Sequence, residues 1–205
     1  MVHAALLAAV LAVPSSAAPV AAPLTFESSV FDAVRRIAQV RASSVKAMDA
    51  GLAARLNSLS MDMRRSQQQA FRLRGELSRL RSRLAVPPGR PTDPNLAWEV
   101  RRLSQDLTQL ARDLRWRLQD ARVIRSSIQG QDPDLTGPAA YFASEVRWLA
   151  NETRWLDMDV RNIVWDLRAR GFHLEAMDME MAARDIQGDT AGLSNESDLI
   201  TAKTR

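Results

Sequence analysis

Side chains suited to bond-making are scarce in this chain. It carries two histidines, His3 and His173, and no cysteine. Thiol nucleophiles, disulfides, Cys-based zinc sites and iron–sulfur clusters are therefore excluded. A Ser/His/Asp arrangement would have to recruit His173, which lies in a heptad run without a nucleophile elbow. His173, Met177 and Met181 recur at i, i+4 and i+8. An imidazole with two thioethers is a copper(I) donor set, but both methionines also fit an apolar seam, where a thioether is ordinary packing. The eight glycines form neither G-x-G-x-x-G nor G-x-x-x-x-G-K, and the bundle ligand pair Glu-x-x-His is absent. Carboxylates recur seven residues apart, about 10.5 Å along a helix, which makes a charged flank and not a converging acid–base pair. The sequence gives no reason to expect a catalytic residue, a metal or a cofactor.

Two groups suit binding instead. Arg64, Arg65, Arg72, Arg74, Arg79, Arg81, Arg83 and Arg90 cluster within one stretch relieved only by Glu76. They suit an anionic partner such as an envelope polymer or a phospholipid surface. The competing reading is a solvated face neutralised in part by the rest of the chain, and arginine supplies all but two of the 28 basic residues. The second group is Trp116, Trp148 and Trp155, which share heptad position c, beside the seam and off it. They either widen the core or form an exposed aromatic stripe with Arg115, Arg117, Arg147 and Arg154. Trp98 and Trp165 fall at position f, where at least one is expected on the surface.

The elements that carry these groups are helices. Val30, Val34, Ile37, Val45, Met48, Leu52, Leu56, Leu59 and Met63 recur near an eleven-residue period. Ala70, Leu73, Leu77, Leu80 and Leu84 then follow a seven-residue one, with Ser66 filling the missing seam position. Pro87-Pro88-Gly89 ends this run. Asp93-Pro94 opens a second, as N-cap and first helical residue. Its seam is Leu96, Val100, Leu103, Leu107, Leu110, Leu114, Ala121, Ile124 and Ile128, with Arg117 replacing one apolar member. The third begins near Pro138 with a seam of Phe142, Val146, Leu149, Thr153, Leu156, Val160, Ile163 and Leu167, continued by Leu174, Met177 and Met181. The expected fold is all-α: an elongated antiparallel three-helix coiled coil running up-down-up. Its helices cover about residues 28–85, 94–129 and 138–187, and a small, polar, disordered tail covers 188–205.

Charge is shared unevenly along the chain: +8 over residues 18–91, +2 over 92–131 and −6 over 132–205. Acids stand at heptad position g: Glu145, Glu152 and Asp159 in the third run, Glu99 and Asp106 in the second. In an up-down-up bundle the first and third helices are parallel, so these g acids meet e positions of the first helix, where Arg74 and Arg81 fall.

Residues 1–17 read as a secretory signal peptide. Ala4 to Val13 is an apolar run too short to span a bilayer; Pro14 ends it, and small residues up to a cleavage site after Ala17 follow. A flexible leader is expected over 18–27. The mature chain then belongs in the periplasm or outside the cell, with no transmembrane segment. Nucleic acid is a poor partner for it because no reading motif is present. The sequence thus points to an exported structural, assembly or adaptor protein of the envelope that acts by helix–helix association. A homodimer would cover the overhanging start of the first helix. The alternative is a periplasmic binding module, a holdase-type chaperone or a binder of anionic polymer or lipid, using the arginine cluster and the tryptophan stripe.

Overall fold

A computed structural model describes residues 24–85, 94–128 and 132–205. The described residues are helical, with no strand among them: α1 Leu24–Leu84, α2 Pro94–Ser127, α3 Pro133–Ala169 and α4 His173–Lys203. The chain divides after Ser44 into two units. The first contains the start of α1, in which residues 34–40 are all exposed. The signal peptide expected over residues 1–17 lies outside the described residues, as does the leader up to residue 23. Residues 24–27 are the first turn of α1 and not a flexible leader.

The second unit, residues 45–205, is a helical bundle built on the expected seams. Leu56, Met63, Ala70, Leu73, Leu77 and Leu80 of α1 are buried, as are Val100, Leu103, Leu107, Leu110 and Leu114 of α2 and Val146, Leu149, Leu156, Val160 and Ile163 of α3. Each fully buried leucine contributes about 1.5–3 kcal/mol relative to exposure. Polar pairs fix the neighbours. Arg72–Asp106 at 3.5 Å and Arg117–Asp62 at 3.3 Å join α1 to α2 in antiparallel register. Arg74–Glu152, together with the Arg170 guanidinium donating to the Leu84 carbonyl, joins α1 to α3 in parallel. Arg101–Glu175 and Arg125–Glu196 join α2 to α4 in parallel. Arg168–Glu180, with the Thr136 hydroxyl donating to the Thr204 carbonyl, joins α3 to α4 antiparallel. Around the core the order is α1, α2, α4, α3.

The bundle of the described residues therefore has four helices, which corrects the three-helix expectation at two points. The expected third helix is two. Its break at Gly171 is a Schellman stop: Phe172 N–H donates to the Leu167 carbonyl and Gly171 N–H to the Arg168 carbonyl. Gly171 takes φ +89°, a left-handed conformation that costs glycine little. Phe172 closes the motif by packing against the core. At the other end α3 starts five residues before Pro138, at Pro133 behind an N-cap. The Asp132 carboxylate accepts from Asp134 N–H at 3.0 Å, and Pro133 takes the first position, where no N–H bond is lost.

The expected disordered tail, 188–205, is the second half of α4. Its seam runs Ala176, Met179, Ala183, Ile186, Thr190, Leu193, Ser197 and Ile200, all buried, in unbroken 3-4 spacing. Large residues alternate with small or hydroxylated ones, so the stripe has little hydrophobic contrast. The buried hydroxyls are satisfied locally: Thr190 donates to the Ile186 carbonyl at 2.6 Å and Ser197 to the Ser194 carbonyl at 2.8 Å. Leu174, Met177 and Met181, expected on the seam, are exposed. The left-handed glycine starts a new helix with its own phase, and α4 presents a different face to the core.

Two measurements test the docking of α4. Amides between Gly188 and Ile200 should resist hydrogen exchange, whereas a free tail would exchange at once. Around Gly188 space is open, so Gly188→Ala should stabilise the bundle by about 1 kcal/mol through helix propensity. A Cβ at Gly192 would stand 2.9 Å from Leu118 Cδ2. Gly192→Leu should therefore cost about 1–3 kcal/mol of overpacking in urea unfolding. Equal effects at the two glycines would show that α4 is not packed on α2.

Candidate partner-binding surface

The heptad pattern decides which side chains the bundle leaves outside. Positions g of α2 and α3 both face α1. From α2, Glu99 pairs with Arg83 and Asp106 with Arg72. From α3, Glu152 at 2.9 Å and Asp159 at 3.2 Å both receive Arg74, at position e as expected. Partial burial works against the Arg74 charge, but its hydrogen bonds to Glu152 and Asp159 outweigh that effect and hold the guanidinium above its ordinary pKa. One arginine thus ties two acids of neighbouring heptads to α1. Arg81, the other arginine at e, makes no such pair among the described residues.

Position c adjoins g on the helical wheel. Trp116 on α2 and Trp148 and Trp155 on α3 therefore stand on the sides of their helices turned toward α1's flanks. They are not a widened core: Trp116 is 65% exposed, Trp148 60% and Trp155 51%. Trp98 and Trp165, at f, are exposed as well. The core closes without any of the five tryptophans, because leucine, valine and isoleucine fill most a and d positions of α2 and α3, with Ala121, Phe142 and Thr153 among the others. Two rings are steadied by arginine: Arg74 Cζ lies 5.7 Å from the Trp155 centroid and Arg102 Cζ 5.3 Å from that of Trp98.

The arginine cluster separates into two kinds. Arg72, Arg74 and Arg83 are engaged with acids of the bundle, and Arg65 pairs with Asp62 at 3.3 Å. Arg64, Arg79 and Arg81 are exposed and make no ion pair among the described residues. Arg90 lies outside the described residues. Much of the cluster's charge is thus spent inside the molecule, on α2 and α3.

On the far side of the bundle α2 supplies the cations and α4 the acids. Glu196 is buried and pairs with Arg125 at 3.1 Å and Arg122 at 3.6 Å; Asp189 lies 3.5 Å from Arg115. Burial raises the Asp189 carboxyl above its ordinary pKa, and Arg115 only partly opposes it. A cleft of about 430 Å³ lies between Arg112 and Arg115 of α2 and Asp178, Met181 and Asp185 of α4. Among the described residues no three His, Cys, Asp or Glu side chains converge on a metal position, and His173, Met177 and Met181 are all exposed. No helix among the described residues is long and apolar enough to cross a membrane.

Sequence reasoning passed over Tyr141 and Phe71, both exposed. Tyr141 was legible: it stands seven residues before Trp148, at the same position c. Phe71, at b of α1, carried no such signal. Compared with known proteins, the chain matches no family model, no curated protein and no solved structure.

The Asp189 shift has a testable sign. A carboxyl whose folded pKa is raised costs stability above that pKa, and the cost fades as pH falls toward the unfolded value. Asp189→Asn should therefore stabilise the bundle at pH 7, with the gain shrinking toward pH 3 in thermal melts. A loss at pH 7 would mean that the Arg115 pair outweighs burial.

Proposed function

We propose that this chain is an exported, non-catalytic binding module of the cell envelope that docks onto its target through the aromatic and arginine side chains flanking α1. The observation that supports it most is the placement of Trp116, Trp148 and Trp155. Each leaves half or more of a large apolar side chain in water, although the bundle's core is complete without it. Scattered exposed leucines call for no explanation, whereas tryptophans repeated at one heptad position and bordered by cations are the composition of interaction surfaces. Export is supported by the apolar run from Ala4 to Val13 with its small-residue exit.

A second reading, assembly by helix–helix association, has its own observation. Val34 and Ile37 are exposed on the first unit's stretch of α1, in a seam that two copies could share. Sedimentation of the mature chain addresses it: Val34→Gln with Ile37→Gln should shift a dimer to monomer, and a monomeric wild type at tens of micromolar contradicts it.

The primary reading is tested with an envelope fraction from the source cells. The mature protein should co-sediment with it, and the triple variant Trp116→Ala, Trp148→Ala, Trp155→Ala should lose that association by tenfold or more while keeping the helical circular dichroism and melting midpoint of the wild type. Unchanged co-sedimentation of the folded triple variant rejects the reading.

A further inference from the structure

The outward side of α3 holds more order than a generic docking surface needs. Tyr141, Trp148 and Trp155 stand at the same heptad position, so successive rings are about 10.5 Å apart along the helix. All three are exposed. The residue before each tryptophan, at position b, is an exposed arginine, Arg147 or Arg154, and neither makes an ion pair among the described residues. The unit is therefore one ring and one free guanidinium per heptad, given twice, with a third ring at Tyr141; on the other side of the rings, at position g, Arg74 neutralises Glu152 and Asp159, and Glu145 makes no ion pair among the described residues. Trp155 is held by Arg74, itself fixed by Glu152 and Asp159. That ring is anchored before any ligand arrives, which lowers the entropy lost on binding.

Resting on the docking function proposed above, we propose that this face of α3 binds an acidic β-1,4-linked glycan strand of the cell wall, one Arg–Trp pair meeting each two-sugar repeat. In such a strand successive sugars are turned by half a rotation, so the same C–H face recurs at every second sugar, at a spacing close to one heptad rise. A pyranose C–H face stacks on an indole, and a carboxylate on alternate sugars meets the guanidinium beside it. A partner helix would also match a seven-residue period. It would, however, have to bring acids to Arg147 and Arg154 and a polar group to Asn151, which lie between and beside the rings, or bury them unpaired. A glycan brings hydroxyl and carboxylate oxygens to those same groups. The polar spacing between rings thus favours sugar over helix.

The test uses the mature full-length chain and amidase-treated cell-wall glycan, in which every second sugar carries a free lactyl carboxylate. Chito-oligosaccharide of equal length serves as the uncharged arm. The wild type should bind the acidic strand, more tightly as it lengthens from two to six sugars. Trp148→Ala and Trp155→Ala should each weaken binding about tenfold. Arg147→Gln with Arg154→Gln should reduce the acidic strand to the affinity of the uncharged one and remove the salt dependence. Trp98→Ala, on α2, should change nothing, and circular dichroism melts should show every variant folded. Equal binding by the wild type and the folded Trp148→Ala, Trp155→Ala double variant overturns the proposal, as does binding to neither glycan. If neither glycan binds while the triple tryptophan variant still loses the envelope fraction, the glycan is wrong and a protein partner takes its place. If that variant keeps the envelope fraction, the docking reading itself fails.

Discussion

The bundle depends on how α1 is shared. Between Leu52 and Leu84 its a and d positions sink into the core, and its e and g positions pair with opposite charges on two different helices. Glu76 and Asp62, at g, meet Arg102 and Arg117 of α2, while Arg74, at e, meets Glu152 and Asp159 of α3. Single surface pairs of this kind contribute little energy. Their effect is on choice. A basic α1 flanked by acids at g of both neighbours has one register in which the signs match, and a pairing of α1 with itself brings like charges together. The leucines supply the free energy, and the charges select which leucine seams meet.

That division of labour explains what the sequence disclosed. Seams rich in leucine, on α1, α2 and α3, are legible because the apolar contrast with their neighbours is large at every heptad. The parallel pairing of α1 with α3 is legible because Arg74 and the g acids can be placed on a wheel without knowing the fold. The N-terminus of α2 is legible because Pro94 needs no partner for its missing N–H. Each of these follows from local chemistry that tertiary packing does not override.

The fourth helix was hidden for physical reasons. Its large seam residues, Met179, Ile186, Leu193 and Ile200, come once per heptad, and the alternate positions are Ala, Thr and Ser. A buried hydroxyl bonded to its own helix's carbonyl is neutral to packing yet looks like a solvent residue in a hydropathy pattern. Small residues on that face let α4 come close to α2, and at Gly192 the Leu118 side chain fills the space a Cβ would occupy. The misleading stripe, Leu174, Met177 and Met181, followed from continuing the α3 phase through Gly171. The dipeptide Gly171-Phe172, a left-handed stop followed by an apolar residue, was the local signal of a phase reset. A single run carried through it merges two helices and moves the seam by two residues.

The same wheel explains why the tryptophans matter. In α3 the large side chains of the core are Phe142, Leu149, Leu156 and Ile163, and they leave no vacancy for an indole. Trp148 and Trp155 could be smaller or charged without opening a cavity, so stability gives no account of them. Leaving them in water also favours nonspecific association, a standing cost that charged residues at the same positions would avoid. The neighbours offset it in part: Arg147 and Arg154 beside the rings, and Arg74 over Trp155, raise solubility without covering both faces. An arrangement that exposes indoles, rigidifies one of them and sets arginines beside them has no benefit to bundle stability to weigh against its cost. Contact with a partner that offers apolar faces and negative charge together, as proposed above, would supply a benefit in binding.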